Sequence, residues 1–366
     1  MQAPSDTTPP RKRLTRALRL SVAGVVCWGL LIAGAAAIVL VKDNEAAAAR
    51  EAMPAPHARL DPAELAAWSH FPDYRDEIPV LAYHGVNSKS SYLTVTRRRF
   101  AEQLLALHTA GFHTVTIGQY ARYMKSGSTA GLPSKPILLT FDDGRLDSYQ
   151  GADKTLAKYH DTAVMFVVAS WPDEDPGWAL HWNELVKMQQ SGRWEIQEHA
   201  GTGHTFVPVD PKGGTGEFYA YRQWRDSGLE PFSSYKSRVV HDVRWGERVL
   251  EEHIPGYRPI AFAVPYSNYG QRFTNDPRIP RYFLPFLHTQ FPVVFDGDYL
   301  DEGKDRPDEI KGRWSPRLAY RITQGPVMNL PDLSCRLHDF VARIPLWREY
   351  SCLKFDRSHV PSAHSD

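Results

Sequence analysis

The sequence predicts an α/β fold whose parallel sheet closes into a barrel or a distorted barrel. The first observation is an apolar run at 137–141, which has the length and the β-branched and aromatic content of a buried strand. This run ends in Asp142-Asp143-Gly144, at the strand end where α/β folds build their sites. The third observation is a repeated alternation of predicted strands and helices from residue 78 onward, which is typical of parallel sheets.

The elements of a predicted domain at 78–345 follow in order. Strands are predicted at 78–83, 113–117, 137–141, 163–168, 194–197, 261–264, 291–295 and 320–322. Helices are predicted at 98–109, 119–124, 147–160, 182–190, 235–253 and 333–344. Thr96 can cap the first of these helices, and Gly111 can end it. The first strand ends at His84, so a polar residue follows it as the acids follow the strand at 137–141.

The N-terminal segment predicts a membrane anchor. Residues 1–16 form a basic, predicted cytoplasmic tail, and residues 17–41 form a predicted transmembrane signal-anchor with no charge after Arg19. About twenty apolar residues suffice to cross a bilayer, and a cleaved signal peptide, the alternative, has a shorter core. Because the basic residues precede the span, the rest of the chain is expected outside the cell. Residues 42–77 are predicted to be a linker with a short helix at 62–68, and residues 346–366 a C-terminal tail.

The composition excludes several functional classes. The 366 residues are 42% hydrophobic, which is ample for a large core. Basic and acidic side chains number 43 and 42, and this balance indicates no nucleic-acid partner. No Gly-x-Ser-x-Gly elbow and no phosphate-binding loop occurs. Cys335 and Cys352 can form a disulfide if they lie outside the cell.

Two histidines complete a candidate metal site with one of the acids. His199 and His204 follow the acids by roughly sixty residues. One aspartate and two histidines form a ligand set of catalytic zinc sites, with positions left open. The other acid is then free to act as a base, and spacing alone does not decide between Asp142 and Asp143. The alternative is a plain Asp-Asp-Gly turn and a pair of loop histidines.

These motifs together resemble polysaccharide deacetylases of the NodB-homology type, carbohydrate esterase family 4. The matching segments are Thr140-Phe141-Asp142-Asp143-Gly144, His199 with His204, and Phe262-Ala263-Val264-Pro265-Tyr266. The resemblance is closest to the branch acting on poly-N-acetylglucosamine, which has a Leu-Ala-Tyr-His stretch near its start, as at 81–84. The sequence departs from the commoner pattern twice. Four residues instead of three separate the histidines, and Ala263 stands where an arginine usually supports the base, so that support is absent or replaced.

The resemblance implies a distorted (β/α)7 barrel and a metal-dependent hydrolase that removes N-acetyl groups from an extracellular polysaccharide containing N-acetylglucosamine. The residues it assigns are Asp142 as base, His84 as acid, Asp143, His199 and His204 as ligands of a divalent metal, and Pro265 and Tyr266 as substrate contacts. Zinc is the default metal, and cobalt or nickel suits the same ligands. The alternatives are another acylated glycan, such as chitin oligomers, peptidoglycan or xylan, and a metal-free sugar-binding relative.

Two assignments keep their alternatives. For the acid, His84 follows a strand, whereas the other candidate, His338, lies in a predicted helix. The alternative role for His84 is to orient a metal ligand without donating a proton. The glycine- and aromatic-rich segment at 205–234 could flank the site and stack sugar rings, or could be an ordinary packed loop.

Overall fold

The computed structural model describes residues 50–74, 77–91, 93–174, 177–297, 319–323 and 329–341. The chain divides into two units, Met1–Glu51 and Ala52–Asp366, and nearly all described residues belong to the second. The predicted membrane span at 17–41 and the predicted tail at 346–366 lie outside the described residues. Within the described ranges, no helix combines the length and apolar character that crossing a membrane requires.

The second unit consists of mostly parallel strands with intervening helices, and four short strands form two antiparallel pairs. The strands are β1 (Val80–Tyr83), β2 (Gly85–Asn87), β3 (Thr94–Thr96), β4 (His113–Thr114), β5 (Pro136–Phe141), β6 (Ala163–Val168), β7 (Trp194–Ala200), β8 (Phe206–Pro208), β9 (Thr215–Glu217), β10 (Trp224–Arg225), β11 (Gly228–Leu229), β12 (Ala261–Ala263), β13 (Val293–Gly297) and β14 (Ala319–Thr323). The helices are Pro62–Ser69, Arg97–Thr109, Ile117–Ser126, Leu146–Tyr159, Trp171–Glu174, Trp182–Gln190, Phe232–His253, Ile279–Gln290 and Leu330–Val341, with a 3-10 turn at Pro265–Ser267.

Parallel pairing makes a nearly closed barrel of the described strands. The order is β1-β5-β6-β7-β12-β13-β14, and β1 pairs with both β5 and β14, which joins the two ends of the sheet. The short strand β4 pairs beside the start of β5. In a parallel barrel all the carboxyl ends of the strands meet at one rim. The acids after β5, the two histidines at and after the end of β7 and the turn after β12 therefore share that rim.

Alternation along β5 divides the hydrophobic core. Ile137, Leu139 and Phe141 pack in a cluster with the helices Arg97–Thr109 and Leu146–Tyr159. Leu138 belongs instead to the cluster of the barrel interior, which contains Val80, Val164, Phe166, Ala261, Ala263, Val293, Phe295 and Ala319. Both clusters are continuous and apolar, so β5 is buried on both faces, as its unbroken apolar run predicts.

The packed unit begins earlier than the sequence indicates. Trp68, Phe71 and Tyr74 fall in the predicted linker at 42–77, yet they are buried in the same core as Phe112. Asp61 caps the short helix Pro62–Ser69 through a capping box with Glu64. The start of the domain near residue 78 is therefore too late, because these three aromatic side chains belong to its core.

Other differences concern element ends and two unpredicted helices, Trp171–Glu174 and Ile279–Gln290. Strand β7 extends to Ala200, so His199 lies on the strand itself. The helix Ile279–Gln290 contains Pro285, which argues against a helix at the sequence level. Cys335 is disulfide-bonded. Its predicted partner Cys352 lies outside the described residues.

Candidate active site

The two acids after β5 occupy different surroundings because the turn begins at the second of them. Leu138, Thr140 and Asp142 share one face of the strand, which continues into the barrel interior. Asp143 has a φ of 75°, a left-handed conformation that aspartate tolerates better than most residues, and Gly144 follows with a φ of 64°. The turn thus begins at Asp143, and not only at the glycine that the sequence singles out.

Strand β7 and the loop after it bring two histidines to Asp143. His199 is buried on the strand, and His204 is half-buried after a four-residue loop. Their Nε2 atoms lie 3.5 Å and 3.4 Å from Asp143 Oδ1, and one potential donor atom from each of the three residues lies within 4.8 Å of the other two. The fold therefore brings together the three residues that the sequence predicts as metal ligands.

A backbone carbonyl orients His199. Its Nδ1 lies 2.7 Å from the carbonyl oxygen of Ala263. Because a carbonyl can only accept, Nδ1 carries the proton and donates it, and Nε2 is directed toward Asp143. Ala263 thus contributes to the site through its main-chain carbonyl.

The donor atoms fit a divalent metal. Asp143 Oδ1 is buried, yet within the described part of the chain it has no hydrogen-bond partner. A buried carboxylate oxygen without a donor is costly unless a cation compensates its charge. Two imidazoles and one carboxylate suit zinc and leave positions open for water or substrate. The site therefore meets the requirements for such an ion.

The pKa shifts at the site favour the ligating protonation states of Asp143 and His204. Burial and the nearby His199 lower the pKa of His204 to about 4, so its imidazole is neutral near pH 7. Burial tends to raise the pKa of Asp143, but the surrounding histidines outweigh it and hold the pKa below its ordinary value. Burial lowers the pKa of His199, whereas the two acids raise it more, so a bound cation would have to displace a proton there.

Arg321 is the residue that the sequence reasoning missed. It lies on β14, 179 positions from Asp142, and donates from Nη1 to Oδ1 at 2.5 Å and from Nη2 to Oδ2 at 2.8 Å. Both side chains are buried, and the guanidinium lies 5.5 Å and 5.9 Å from the rings of Phe166 and Phe295. The arginine support that Ala263 does not supply is thus replaced from another strand.

This ion pair decides the charge on Asp142. Burial alone would raise the pKa of Asp142, but the charge of Arg321, followed by those of His199 and His84, holds it below its ordinary value. Asp142 is therefore ionised at neutral pH, which a general base requires. The fixed two-point contact also limits rotation of the carboxylate.

His84 lies beside Asp142. Its Nε2 is 3.9 Å from Asp142 Oδ2, and its backbone carbonyl accepts a hydrogen bond from the Ser148 hydroxyl. Its Nδ1 is buried and has no hydrogen-bond partner among the described residues. His338 has a packing position instead, with its ring centroid 4.2 Å from that of Phe71 and its Nδ1 2.7 Å from the carbonyl oxygen of Ser334.

The turn after β12 presents one of its two predicted substrate contacts. Pro265 is buried, whereas Tyr266 is half-buried with a φ of 56° and its ring centroid 4.4 Å from that of His204. A bulky residue in this backbone region costs roughly 1–3 kcal/mol and persists where the surroundings hold it. Pro265 therefore exposes little surface of its own, and the substrate contacts of both residues stay predictions.

Aromatic rings extend from His204 in two directions. Trp171 lies 5.1 Å from His204 and 5.0 Å from Trp178, which is 36% exposed. On the other side Phe206, 52% exposed, lies 4.8 Å from the ring of Tyr266. Phe206 belongs to the segment at 205–234, which forms two short antiparallel pairs, β8–β9 and β10–β11. The segment thus flanks the site through Phe206, whereas its Tyr219 is buried as in a packed loop, and sugar stacking stays a prediction.

The comparisons with known proteins agree on one kind of relative, the polysaccharide deacetylases. Residues 129–278 match the sequence profile of the polysaccharide deacetylase family. A putative polysaccharide deacetylase of Bacillus subtilis is 33% identical over 92 residues, 25% of this chain and 32% of that protein. The poly-beta-1,6-N-acetyl-D-glucosamine N-deacetylase of Escherichia coli is 22% identical over 205 residues, 51% of this chain and 30% of that protein. The chain thus spans about a third of the length of these curated relatives.

Solved structures support the same fold. The structure of a de-N-acetylase from Aggregatibacter actinomycetemcomitans superposes with a TM-score of 0.54 at 22% identity, covering 69% of this chain and 96% of that one. Likeness at this identity concerns the fold alone. The matched segment, residues 129–278, includes both acids and both histidines of the site, but neither His84 nor Arg321. Residues 129–278 of this chain therefore match a polysaccharide deacetylase domain.

Proposed function

We propose that this protein is a metal-dependent deacetylase that removes N-acetyl groups from an extracellular polysaccharide containing N-acetylglucosamine. The observation that carries the proposal is the placement of Asp142, fixed by Arg321, beside the cluster of Asp143, His199 and His204. The curated relative from Escherichia coli, named for poly-beta-1,6-N-acetyl-D-glucosamine, supports the choice of polymer.

Each residue near the cluster has a role in amide hydrolysis. A divalent ion, by default zinc, would polarise the acetyl carbonyl and lower the pKa of water when bound to Asp143, His199 and His204. Asp142 is ionised and accepts a proton from the attacking water. His84 donates a proton to the departing amine, since an amide nitrogen leaves poorly without one. A backbone N–H near Tyr266 stabilises the developing negative charge on the acetyl oxygen.

The exposed aromatic rings suit a polymeric substrate. Trp178 and Phe206 lie at the ends of the two ring series that meet at His204. A flat aromatic side chain offers apolar area to a pyranose ring at a low entropic cost. We therefore place neighbouring sugar units along these two directions, with the reacting acetyl group at the metal cluster.

A panel of acetylated glycans tests the proposal. Acetate release should be fastest with poly-β-1,6-N-acetylglucosamine and slower with chitin oligomers, peptidoglycan or acetylated xylan. Faster release from one of the other glycans would replace the proposed polymer with that substrate. Glycan binding without acetate release from any of them would favour the sugar-binding relative.

The role of His84 can be separated from that of a merely orienting histidine. His84→Ala should lower turnover on N-acetyl substrates by roughly two to four orders of magnitude, as for loss of a general acid. Hydrolysis of an activated aryl acetate should fall much less, because that leaving group needs no proton. Turnover on both substrates checks the prediction. His338→Ala is the matched control, because that ring packs against Phe71, and it should leave both rates near wild type. Equal losses on both substrates in His84→Ala would contradict the acid role and favour an orienting one.

The membrane location is part of the proposal. It rests on the apolar run at 20–41 and the basic residues before it. Protease added to intact cells should remove the part of the chain beyond about residue 45 while sparing the N-terminus. Recovery of the intact domain in the cytosolic fraction would contradict this placement.

A further inference from the structure

The loop between the two histidines is held by a single carboxylate. Asp242 Oδ1 accepts hydrogen bonds from the Thr202 backbone N–H at 2.8 Å and from the Thr202 hydroxyl at 2.6 Å. Asp242 Oδ2 accepts from the backbone N–H groups of Gly201 at 3.1 Å and Gly203 at 3.2 Å, and from the Tyr219 hydroxyl. Five donors thus converge on one side chain that is 4% exposed.

One face of the helix Phe232–His253 carries this interaction and two related ones. Tyr235 donates its hydroxyl to the Tyr219 carbonyl at 2.6 Å, and Arg238 donates to the Phe218 carbonyl at 2.8 Å. These residues and Asp242 are spaced i, i+3 and i+7, so they share one helix face. The helix is fixed in turn by Val239 and Val243, which are buried in the core. The histidine loop is therefore attached to a rigid element of the fold.

The attachment of the loop to the helix Phe232–His253 affects the position of His204 more than that of His199. His199 has its own support from β7 and from the Ala263 carbonyl. His204 follows the loop, so the path of the four intervening residues determines where its ring lies. Gly201 and Gly203 are buried. Without Asp242 their N–H groups would lose their acceptor, which is costly in a buried backbone.

We infer that Asp242 is a positioning residue for the metal site: it fixes the four-residue loop so that His204 Nε2 meets Asp143. This inference rests on the proposed function, because it assumes that the cluster binds a divalent metal. Asp242 supplies acceptors for three consecutive loop N–H groups, and these bonds fix the backbone that leads from His199 to His204.

Metal affinity, measured by competition with a chromogenic chelator for zinc or cobalt, tests this inference without using catalysis. Asp242→Asn turns an amide NH2 toward donors that need an acceptor, and it should weaken metal binding about 10- to 100-fold. In the His204→Ala background the same change should have little further effect, because the ligand that it positions is gone. Tyr219→Phe is the control, since it removes a donor that lies outside the loop and leaves all the bonds between Asp242 and the loop, so metal affinity should stay near that of the wild type.

A second variant covers the case in which Asp242→Asn does not fold. Thr202→Val changes an exposed side chain, removes only the hydroxyl bond, and should weaken metal binding about two- to tenfold. Wild-type affinity in both Asp242→Asn and Thr202→Val would overturn the inference, as would losses that multiply fully in the His204→Ala background. Wild-type protein that binds no metal would instead overturn the proposed function, so the two failures are distinguishable.

Discussion

Replacing Asp142 with asparagine should lower the turnover number for deacetylation by about two to four orders of magnitude while leaving metal affinity near that of the wild type. The amide keeps the shape of the carboxylate but cannot take the proton of the attacking water. Asp142 contacts Arg321 through both oxygens and is not part of the cluster formed by Asp143 and the histidines. Turnover and metal content of the same purified sample provide the check.

Asp143→Asn is the matched comparison for this experiment. It changes the adjacent acid in the same way but removes a predicted ligand, so metal affinity should fall together with turnover. Near-normal turnover in Asp142→Asn would show that the base lies elsewhere. Loss of metal in Asp142→Asn with retention in Asp143→Asn would show that the two acids have exchanged roles.

Replacing Arg321 with methionine should destabilise the fold by roughly 3–5 kcal/mol, because it leaves the buried Asp142 charge without its partner. It should also change the pH dependence of kcat/KM. Arg321 lowers the pKa of Asp142, so its removal raises that pKa, and the acid limb of the profile should move to higher pH. The stabilisation from the pair is present above the ordinary pKa of the carboxyl and is lost as pH falls through the lowered one. Denaturant unfolding and a pH–rate profile measure both effects.

Two variants show whether the loss of stability in Arg321→Met comes from the unpaired charge of Asp142. Arg258→Met makes the same substitution at an exposed arginine that pairs with Glu247. It should leave stability and the pH profile near those of the wild type. Arg321→Met combined with Asp142→Asn should recover part of the lost stability, because the unpaired charge is gone. An Arg321→Met protein with an unchanged acid limb would contradict the role assigned to this pair.

The sequence was sufficient to predict the barrel and the candidate ligands His199 and His204, because both depend on local signals. Only the family resemblance chose Asp143 over Asp142 as the third ligand. The apolar run of β5 and the acids that follow it are contiguous, and the strand–helix alternation implies that carboxyl ends meet at one rim. The strand at 163–168 and the helix at 182–190 have the predicted bounds. The metal-binding role and the catalytic roles remain predictions.

What the sequence did not reveal depends on distant contacts or on opposing local signals. Arg321 reaches Asp142 across 179 positions, and the only hint was a charge within a short apolar strand, which needs a partner when buried. The helix Ile279–Gln290 was not predicted because Pro285 lies within it, and proline argues against a helix interior. The alanine, proline and charge content of residues 42–77 led to the prediction of a linker, although Trp68 and Phe71 are buried in the core. Aromatic residues are uncommon in true linkers.

The central claim, that Asp143, His199 and His204 hold a metal that deacetylation requires, is tested most directly by acetate release before and after metal removal. Protein treated with a chelator and shown to be metal-free should release no acetate from poly-N-acetylglucosamine, and added zinc or cobalt should restore the rate. His204→Ala should bind the added metal poorly and remain inactive. Acetate release at the original rate from metal-free protein would contradict the claim.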